Sequence, residues 1–135
     1  MSYPLTDIEG IDADVVAILK TVRIRSTESL LEAASTVKAR KVLAIKTGFD
    51  EKQLLCWANV ADRMRIRGIS KEYSGLLQAA GVDTVKELKY RNPANLAKAM
   101  KEVNRRHKMV RLLPSEKVIQ RWIGHARTLP LKITY

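Results

Sequence analysis

Hydrophobic positions recur every three or four residues along almost the whole of this 135-residue chain. That spacing places apolar side chains on one face of an α-helix, whereas the alternation typical of a strand holds for only a few positions at a time. The pattern therefore predicts an all-α fold. The predicted helices cover residues 13–22, 27–34, 37–46, 51–64, 71–80, 85–90, 94–103, 108–112 and 116–128.

The residues between the predicted helices are typical of helix ends. Gly48, Gly68 and Gly81 separate successive patterns, and Gly81 suits the left-handed position that follows a helix C-terminus. Side chains that accept hydrogen bonds precede several patterns, where they can cap a helix N-terminus. The predicted N-caps are Asp50, Thr84 and Ser115.

The sequence repeats itself internally. The motif IEGI at 8–11 matches IRGI at 66–69, and EKQLLCWANVA at 51–61 matches EKVIQRWIGHA at 116–126. The glycine pair and the tryptophan pair fall in the same order in both copies, which indicates two related sets of short helices. We predict one compact domain over 1–135, made of two pseudo-twofold-related copies at about 5–65 and 66–128, with an extended tail at 129–135.

Charge is high and unevenly distributed. Lys and Arg number 25 against 14 Asp and Glu, for a net charge of +11. Residues 1–35 hold three basic and six acidic residues, net −3, whereas residues 36–135 hold 22 basic and eight acidic residues, net +14. A positive surface of this size favours a polyanionic partner, and it belongs to the later part of the chain.

Cysteine content and hydropathy bear on the cellular compartment in which the protein is expected. Cys56 is the single cysteine, so no internal disulfide can form, and its place beside Trp57 predicts at least partial burial. The first residues lack the basic start and apolar core of a signal peptide, and no apolar run is long enough to span a bilayer. We expect a cytoplasmic protein with no membrane partner.

The middle of the chain resembles the helix-hairpin-helix family. This family joins two helices through an apolar-x-Gly-apolar turn, here IRGI, and the second helix is followed by AAGVDTVKEL. The whole chain is also similar to a bacterial domain-of-unknown-function family built from such repeats. The residues that carry the first resemblance are Met64, Ile66, Gly68, Ile69, Leu76, Leu77, Ala80, Gly81, Val82, Thr84 and Leu88.

The resemblance implies binding of a nucleic-acid backbone without sequence preference. In such a turn a glycine allows positive φ, and the next helix presents unpaired N–H groups to a phosphate. The family pattern has a second glycine two positions after the first, where this chain has Ser70 in one copy and Asp12 in the other. Either residue could cap its helix and take up the same N–H groups.

The two hairpins differ in charge. Four acidic residues surround Gly10, at positions 7, 9, 12 and 14, so a phosphate would be repelled there and a protein partner is the better expectation. Basic residues surround Gly68, and we predict a phosphate site at that turn. Its candidate residues are Arg63, Arg65, Arg67, Gly68, Ile69, Ser70 and Lys71.

A second basic cluster, KEVNRRHKMVR at 101–111, falls where the second copy is longer than the first. It would extend the phosphate contact if it lay on the same face as the Gly68 turn. Aromatic residues make up only 5% of the chain, so stacking on single-stranded bases is not expected to dominate. The candidate residues of this cluster are Arg105, Arg106, Lys108 and Arg111.

Nothing in the sequence points to catalysis. Trp57 and Trp122 are predicted core residues, and neither His107 nor His125 has a cysteine or carboxylate at metal-ligand spacing. No nucleophile motif or glycine-rich nucleotide loop is present. We therefore predict no enzyme activity, no metal and no cofactor.

The function expected from the sequence is DNA binding without sequence specificity. The same charges would also permit binding of structured RNA. The alternative is a protein-interaction or assembly module, in which the acidic hairpin at 7–14 mediates self-association or docking onto a larger complex such as the ribosome.

Overall fold

The protein is all-α, as predicted. The computed structural model describes residues 2–135, and within them an isolated bridge between Pro4 and Ser26 is the only β-type pairing. A short 3-10 turn at Leu5–Asp7 precedes eight helices in that range. They are α1 (Ala13–Thr21), α2 (Thr27–Ala33), α3 (Val37–Thr47), α4 (Glu51–Arg63), α5 (Lys71–Ala79), α6 (Val85–Lys89), α7 (Pro93–His107) and α8 (Glu116–Thr128).

Buried hydrophobic side chains form two clusters that follow one another along the chain. The first runs from Leu5 to Met64 and the second from Ile66 to Ala126. We call the corresponding segments the N-terminal half (5–64) and the C-terminal half (66–126). The boundary between the clusters falls at Arg65, while the two proposed copies and the symmetry relation between them stay predictions.

Each half buries its tryptophan against its own hairpin glycine. Trp57 and Trp122 are both 3% exposed, which confirms their predicted place in the core. A Cβ atom added to Gly10 would lie 3.6 Å from Trp57 Nε1, and one added to Gly68 would lie 3.1 Å from Trp122 Nε1. Both glycines have positive φ, +91° and +94°, so each turn depends on a residue without a side chain.

Buried polar residues at the end of α4 join the two halves. Asp62 Oδ1 accepts from Arg65 Nη1 at 2.7 Å, and Asp62 Oδ2 accepts from the Val85 N–H at 2.8 Å, at the start of α6. Arg63 Nε donates to Ser74 Oγ at 3.0 Å and its Nη1 donates to the Asp83 carbonyl at 2.8 Å. Adjacent side chains of one helix therefore hold α5 and α6 of the other half.

The tail at 129–135 folds back over the N-terminal half. The Thr134 N–H donates to the Ser35 carbonyl at 2.8 Å, and the buried Arg40 donates to the Thr134 carbonyl at 2.5 Å. Ile133 packs against the first cluster, and Arg65 Nη2 donates to the Pro130 carbonyl at 2.7 Å. The tail is therefore a strap that runs from the end of α8 to α2 and α3.

Three local predictions are wrong. No helix forms at 108–112, because both hydrogen-bonding groups of the Asn104 side-chain amide pair with the backbone of Val110, at 2.9 and 3.1 Å, and draw the chain away from the helix. Thr84 does not cap α6 with its side chain, because its hydroxyl donates to Glu87 and Asp62 takes the first N–H instead. Cys56 is exposed, since it lies on the side of α4 that faces a groove.

The other predicted helix boundaries are met within one or two residues, apart from the helix predicted at 94–103, which runs on to His107. Asp50 and Ser115 accept from N–H groups in the first turns of α4 and α8, as predicted for N-caps. Gly81 has the predicted left-handed conformation, φ +96°. Within residues 2–135, no helix is both long enough and apolar enough to cross a bilayer.

Substitution of the two hairpin glycines should affect stability unequally. Gly68→Ala should lower the free energy of unfolding by about 2 kcal/mol or more, because alanine is strained at this positive φ and its methyl group presses on the buried indole of Trp122. Gly10→Ala should cost about 1 kcal/mol, because it meets the φ penalty without the close contact. Urea denaturation of the full chain measures both values, and equal losses would contradict the Trp122 contact.

Removal of the tail should destabilise the N-terminal half. Deletion of residues 131–135 takes away the Thr134 carbonyl and leaves the buried Arg40 guanidinium with one acceptor, Ala34 O at 2.8 Å. We expect a loss of about 2 kcal/mol in urea denaturation. The control is Lys132→Ala, which breaks only the exposed ion pair with Glu32 and should leave stability nearly unchanged. Unchanged stability on deletion would show that the strap does not contribute to the free energy of unfolding.

Candidate nucleic-acid interface

The Gly68 turn joins the end of α4 to the start of α5. The Ile69 N–H donates to the Ile66 carbonyl at 3.1 Å, and both isoleucine side chains are fully buried on either side of the exposed glycine. The turn is thus anchored on the core by Ile66 and Ile69 while its backbone faces outward. Ile69, one of the candidate residues, can offer a ligand only its main chain.

The two hairpins differ at the N-cap. Asp12 Oδ1 accepts from the Val15 N–H at 3.0 Å, so the first turn of α1 has a side-chain cap. Ser70 holds the N-cap position of α5 in an extended conformation, but its hydroxyl makes no capping hydrogen bond. The N–H groups at the start of α5 are therefore not taken up by the neighbouring side chain, which is the condition that a phosphate site requires.

A basic pocket lies beside the turn. Its cavity has a volume of about 520 Å³, and α8 supplies one wall while the turn supplies the other. We call it the Gly68 pocket. It is lined by Arg67, Gly68, Val118, Arg121, Trp122 and His125.

The hydrogen bonds of the pocket leave several donors unused. The Arg67 N–H donates to His125 Nδ1 at 3.1 Å, which leaves Nε2 as the free nitrogen of that imidazole ring. Trp122 Nε1 has no acceptor among the described residues and is not fully enclosed, and it lies beside Gly68 in the side chain that lines the pocket. An indole N–H can only donate, so it suits an oxyanion.

The two pocket arginines lack counterions. Arg67 and Arg121 are exposed, and neither forms an ion pair with a carboxylate of residues 2–135. Sequence reasoning identified Arg67 but missed Arg121, Trp122 and His125, which come from a helix more than 50 residues later. The repeated tryptophan was the available signal, because the residue packed on Gly68 brings its helical neighbours to the turn.

The other two arginines of the RMRIR segment lie elsewhere. Arg63 is 2% exposed, and its guanidinium is bound to Ser74 and Asp83 in the joint between the halves. The side chain of Arg65 is 12% exposed and is bound to Asp62 and Pro130. Lys71 is exposed on the other side of the turn, where it lines a groove between the halves. Of these cations, the pocket contains Arg67 alone.

The basic cluster at 101–111 divides into two parts. Arg105 and Arg106 both bind the Glu102 carboxylate, at 2.8 and 3.0 Å, and these guanidinium groups lower the pKa of Glu102 to about 2. Their charge is therefore partly neutralised at the end of α7. Lys108 and Arg111 have no such partner among the described residues and lie beside α5.

Two aromatic rings connect this second part to the pocket. Tyr73 of α5 donates through its hydroxyl to the Leu112 carbonyl at 2.9 Å. Its ring lies 5.4 Å from the ring of Trp122, which covers Gly68. Tyr73 thus links Leu112, the neighbour of Arg111, to Trp122 at the turn, while Arg105 and Arg106 remain paired with Glu102.

The described residues contain no group of three or more His, Cys, Asp or Glu side chains that could hold a metal ion. The pocket therefore offers main-chain amides, two guanidinium groups, an indole and an imidazole. This set can bind an anion.

Comparison with known proteins identifies a family and no nearer relative. No curated protein matches the chain, and no solved structure matches it. A family model described as a domain of unknown function, DUF4332, matches residues 9–129, which is most of the chain. The protein therefore belongs to the DUF4332 family.

Proposed function

We propose that this protein binds the phosphate backbone of duplex nucleic acid, and DNA in particular, without reading its sequence. The observation that carries the proposal is the Gly68 pocket, which Arg67 and Arg121 both line without forming an ion pair with any described carboxylate, beside a turn whose helix start has no side-chain cap. A duplex presents phosphates at regular spacing, and unpaired guanidinium groups are well suited to bind them.

Phosphate oxygens would find several donors within one pocket. Arg67 and Arg121 supply the charge, and the indole N–H of Trp122 supplies a neutral donor from the buried wall. The positive end of α5 lies beside them, since Ser70 leaves the first N–H groups of this nine-residue helix uncapped. Together these groups favour an oxyanion over any neutral ligand.

Lys108 and Arg111 would bind further along the same strand. They lie beyond Tyr73, whose ring touches Trp122 at the pocket. Four cations of this kind could neutralise about four phosphates. Since all of them contact phosphate groups rather than base edges, affinity would be similar for different sequences.

The acidic hairpin would stay away from the backbone. Asp12 already accepts from Val15, and the charge around Gly10 repels phosphates. Binding would therefore be one-sided, through the C-terminal half.

Salt should weaken binding steeply. With about four phosphates neutralised, the slope of log K against log salt concentration should be roughly −3.6. Fluorescence anisotropy with labelled duplexes of two unrelated sequences measures this slope, and both should give the same value. A duplex RNA of equal length shows whether the interface distinguishes the two backbones. Absence of binding at low salt would overturn the proposal.

Charge reversal in the pocket should weaken binding specifically. The double variant Arg67→Glu/Arg121→Glu should bind DNA on the order of tenfold or more weakly, with a slope less steep by about two, because two phosphate contacts are lost. The matched control is Lys20→Glu/Arg25→Glu, which changes the net charge equally at exposed sites of the N-terminal half. Circular dichroism checks that both variants fold.

Equal weakening in the two double variants would show that only net charge matters and that the pocket is not the site. Light scattering on the same samples tests the assembly alternative. If the protein self-associates but binds no duplex, and if self-association is lost on reversal of the acidic residues at 7–14, the protein-interaction function replaces this one.

A further inference from the structure

A second concave site lies on the side of α5 away from the Gly68 pocket. It is a groove between the two halves with a volume of about 750 Å³, within the usual size of a site for a small organic molecule. One wall is the segment 6–12, the floor is α4, and the other wall is α5 with Met109. We call it the interhalf groove.

The interhalf groove contains a buried charge that forms no direct ion pair among the described residues, although the carboxylates of Asp83 and Asp62 act on it from beyond ion-pair distance. Arg63 lines the groove and is 2% exposed, and none of the carboxylates in residues 2–135 forms an ion pair with it. Its two protein acceptors, Ser74 Oγ and the Asp83 carbonyl, are neutral. Burial lowers the pKa of this guanidinium, which nevertheless stays protonated at neutral pH.

One nitrogen of this guanidinium has no partner. Nε and Nη1 donate to Ser74 and Asp83, whereas Nη2 has no acceptor among the described residues. No fully enclosed side-chain nitrogen there lacks a hydrogen-bond partner, so Nη2 keeps a small exposed area, and the groove is the cavity that Arg63 lines. A buried cation is costly to leave unpaired, and an anion in the groove would compensate it.

Two further donors face the same space. Ser74 Oγ accepts from Arg63 Nε, which leaves the hydroxyl hydrogen free to donate to a ligand. Lys71 lines the groove one turn earlier on α5 and has no ion-pair partner in the described chain. The arginine of the floor, together with a lysine and a hydroxyl of the α5 wall, forms a set of donors suited to a phosphate or carboxylate group.

The remaining lining limits what kind of anion can enter. Ile8, Ile11, Val60 and Met109 contribute apolar surface, which suits an organic body attached to the oxyanion. Asp7, Glu9 and Asp12 lie along the opposite wall, and Glu72 follows Lys71 on the wall that α5 forms. These carboxylates would repel a long polyanion. A nucleic-acid strand is therefore excluded from the groove by charge, while a small ligand with one anionic end is not.

We propose that the interhalf groove binds a small organic molecule that carries a phosphate or carboxylate on an apolar body, through Arg63 Nη2, the Ser74 hydroxyl and Lys71. The site is separate from the Gly68 pocket, and the proposal does not depend on nucleic-acid binding. Which anionic group the groove prefers is tested with two ligands that carry a phosphate or a carboxylate on the same aromatic ring.

Cys56 provides a direct test, because it is the single cysteine of the chain, is exposed and lines the groove. The rate at which iodoacetamide, a neutral reagent, alkylates Cys56 in the full-length protein is measured by mass spectrometry, with and without millimolar phenyl phosphate or benzoate. We expect the better of the two to slow alkylation about threefold or more, since a ligand present well above its Kd fills most sites. Benzyl alcohol, which is neutral, should give no protection.

Variants separate this site from the nucleic-acid interface. Lys71→Glu should raise the ligand concentration needed for half-maximal protection of Cys56 about tenfold, because a charge-assisted hydrogen bond is replaced by repulsion. Lys86→Glu, an equal charge change on the exposed side of α6, should leave protection intact, and so should Arg67→Glu/Arg121→Glu. Protection that survives in the last variant while DNA binding is lost would show two independent sites.

Arg63 itself is followed by NMR, because a substitution there could unfold the joint. Its buried Nε–H should give a resolved signal that shifts and saturates as phenyl phosphate is added. Failure of either anion to protect Cys56, equal protection by benzyl alcohol, or protection unaffected by Lys71→Glu would each overturn the proposal. Protection by duplex DNA would also overturn it, since the groove would then belong to the nucleic-acid interface.

Discussion

The structure depends on two adjacent buried side chains at the end of α4, Asp62 and Arg63. Each hydrophobic cluster is confined to its own half, so apolar packing alone does not fix how the halves are arranged. Asp62 binds the first N–H of α6 and Arg63 binds a serine of α5, which ties the C-terminal half to the last turn of the N-terminal half. Directional hydrogen bonds at buried sites can specify one arrangement, since any other would leave polar groups unsatisfied.

This joint also determines what the neighbouring surface can do. Because Arg63 and Arg65 are used in it, a segment that reads as three equivalent arginines has only one, Arg67, at the Gly68 turn. The partners of Arg67 come instead from α8, whose tryptophan packs on the glycine and carries Arg121 and His125 with it. The basic pocket is thus a product of core packing as much as of charge.

Charge separates the two concave sites on either side of α5. The Gly68 pocket combines two unpaired guanidinium groups with no acidic residue in its lining, which suits a polyanion. The interhalf groove combines a buried arginine and Lys71 with an acidic opposite wall, which suits a short ligand with a single anionic end. The uneven charge along the chain therefore gives two surfaces of different charge, because the acidic hairpin lines the groove and not the pocket.

The sequence alone predicts the helices and most of their ends. These follow from local rules, since hydrophobic spacing, positive-φ glycines and capping side chains act within a few residues of themselves. It failed at 108–112, where an asparagine side chain replaces helical hydrogen bonds, and at Thr84, whose expected capping role is taken by Asp62 from 22 residues earlier. Which cations stay unpaired depends on the tertiary structure. Arg63, Arg65, Arg67 and Arg121 look alike in the sequence, and long-range partners alone distinguish the two that are bound in the joint from the two that line the Gly68 pocket.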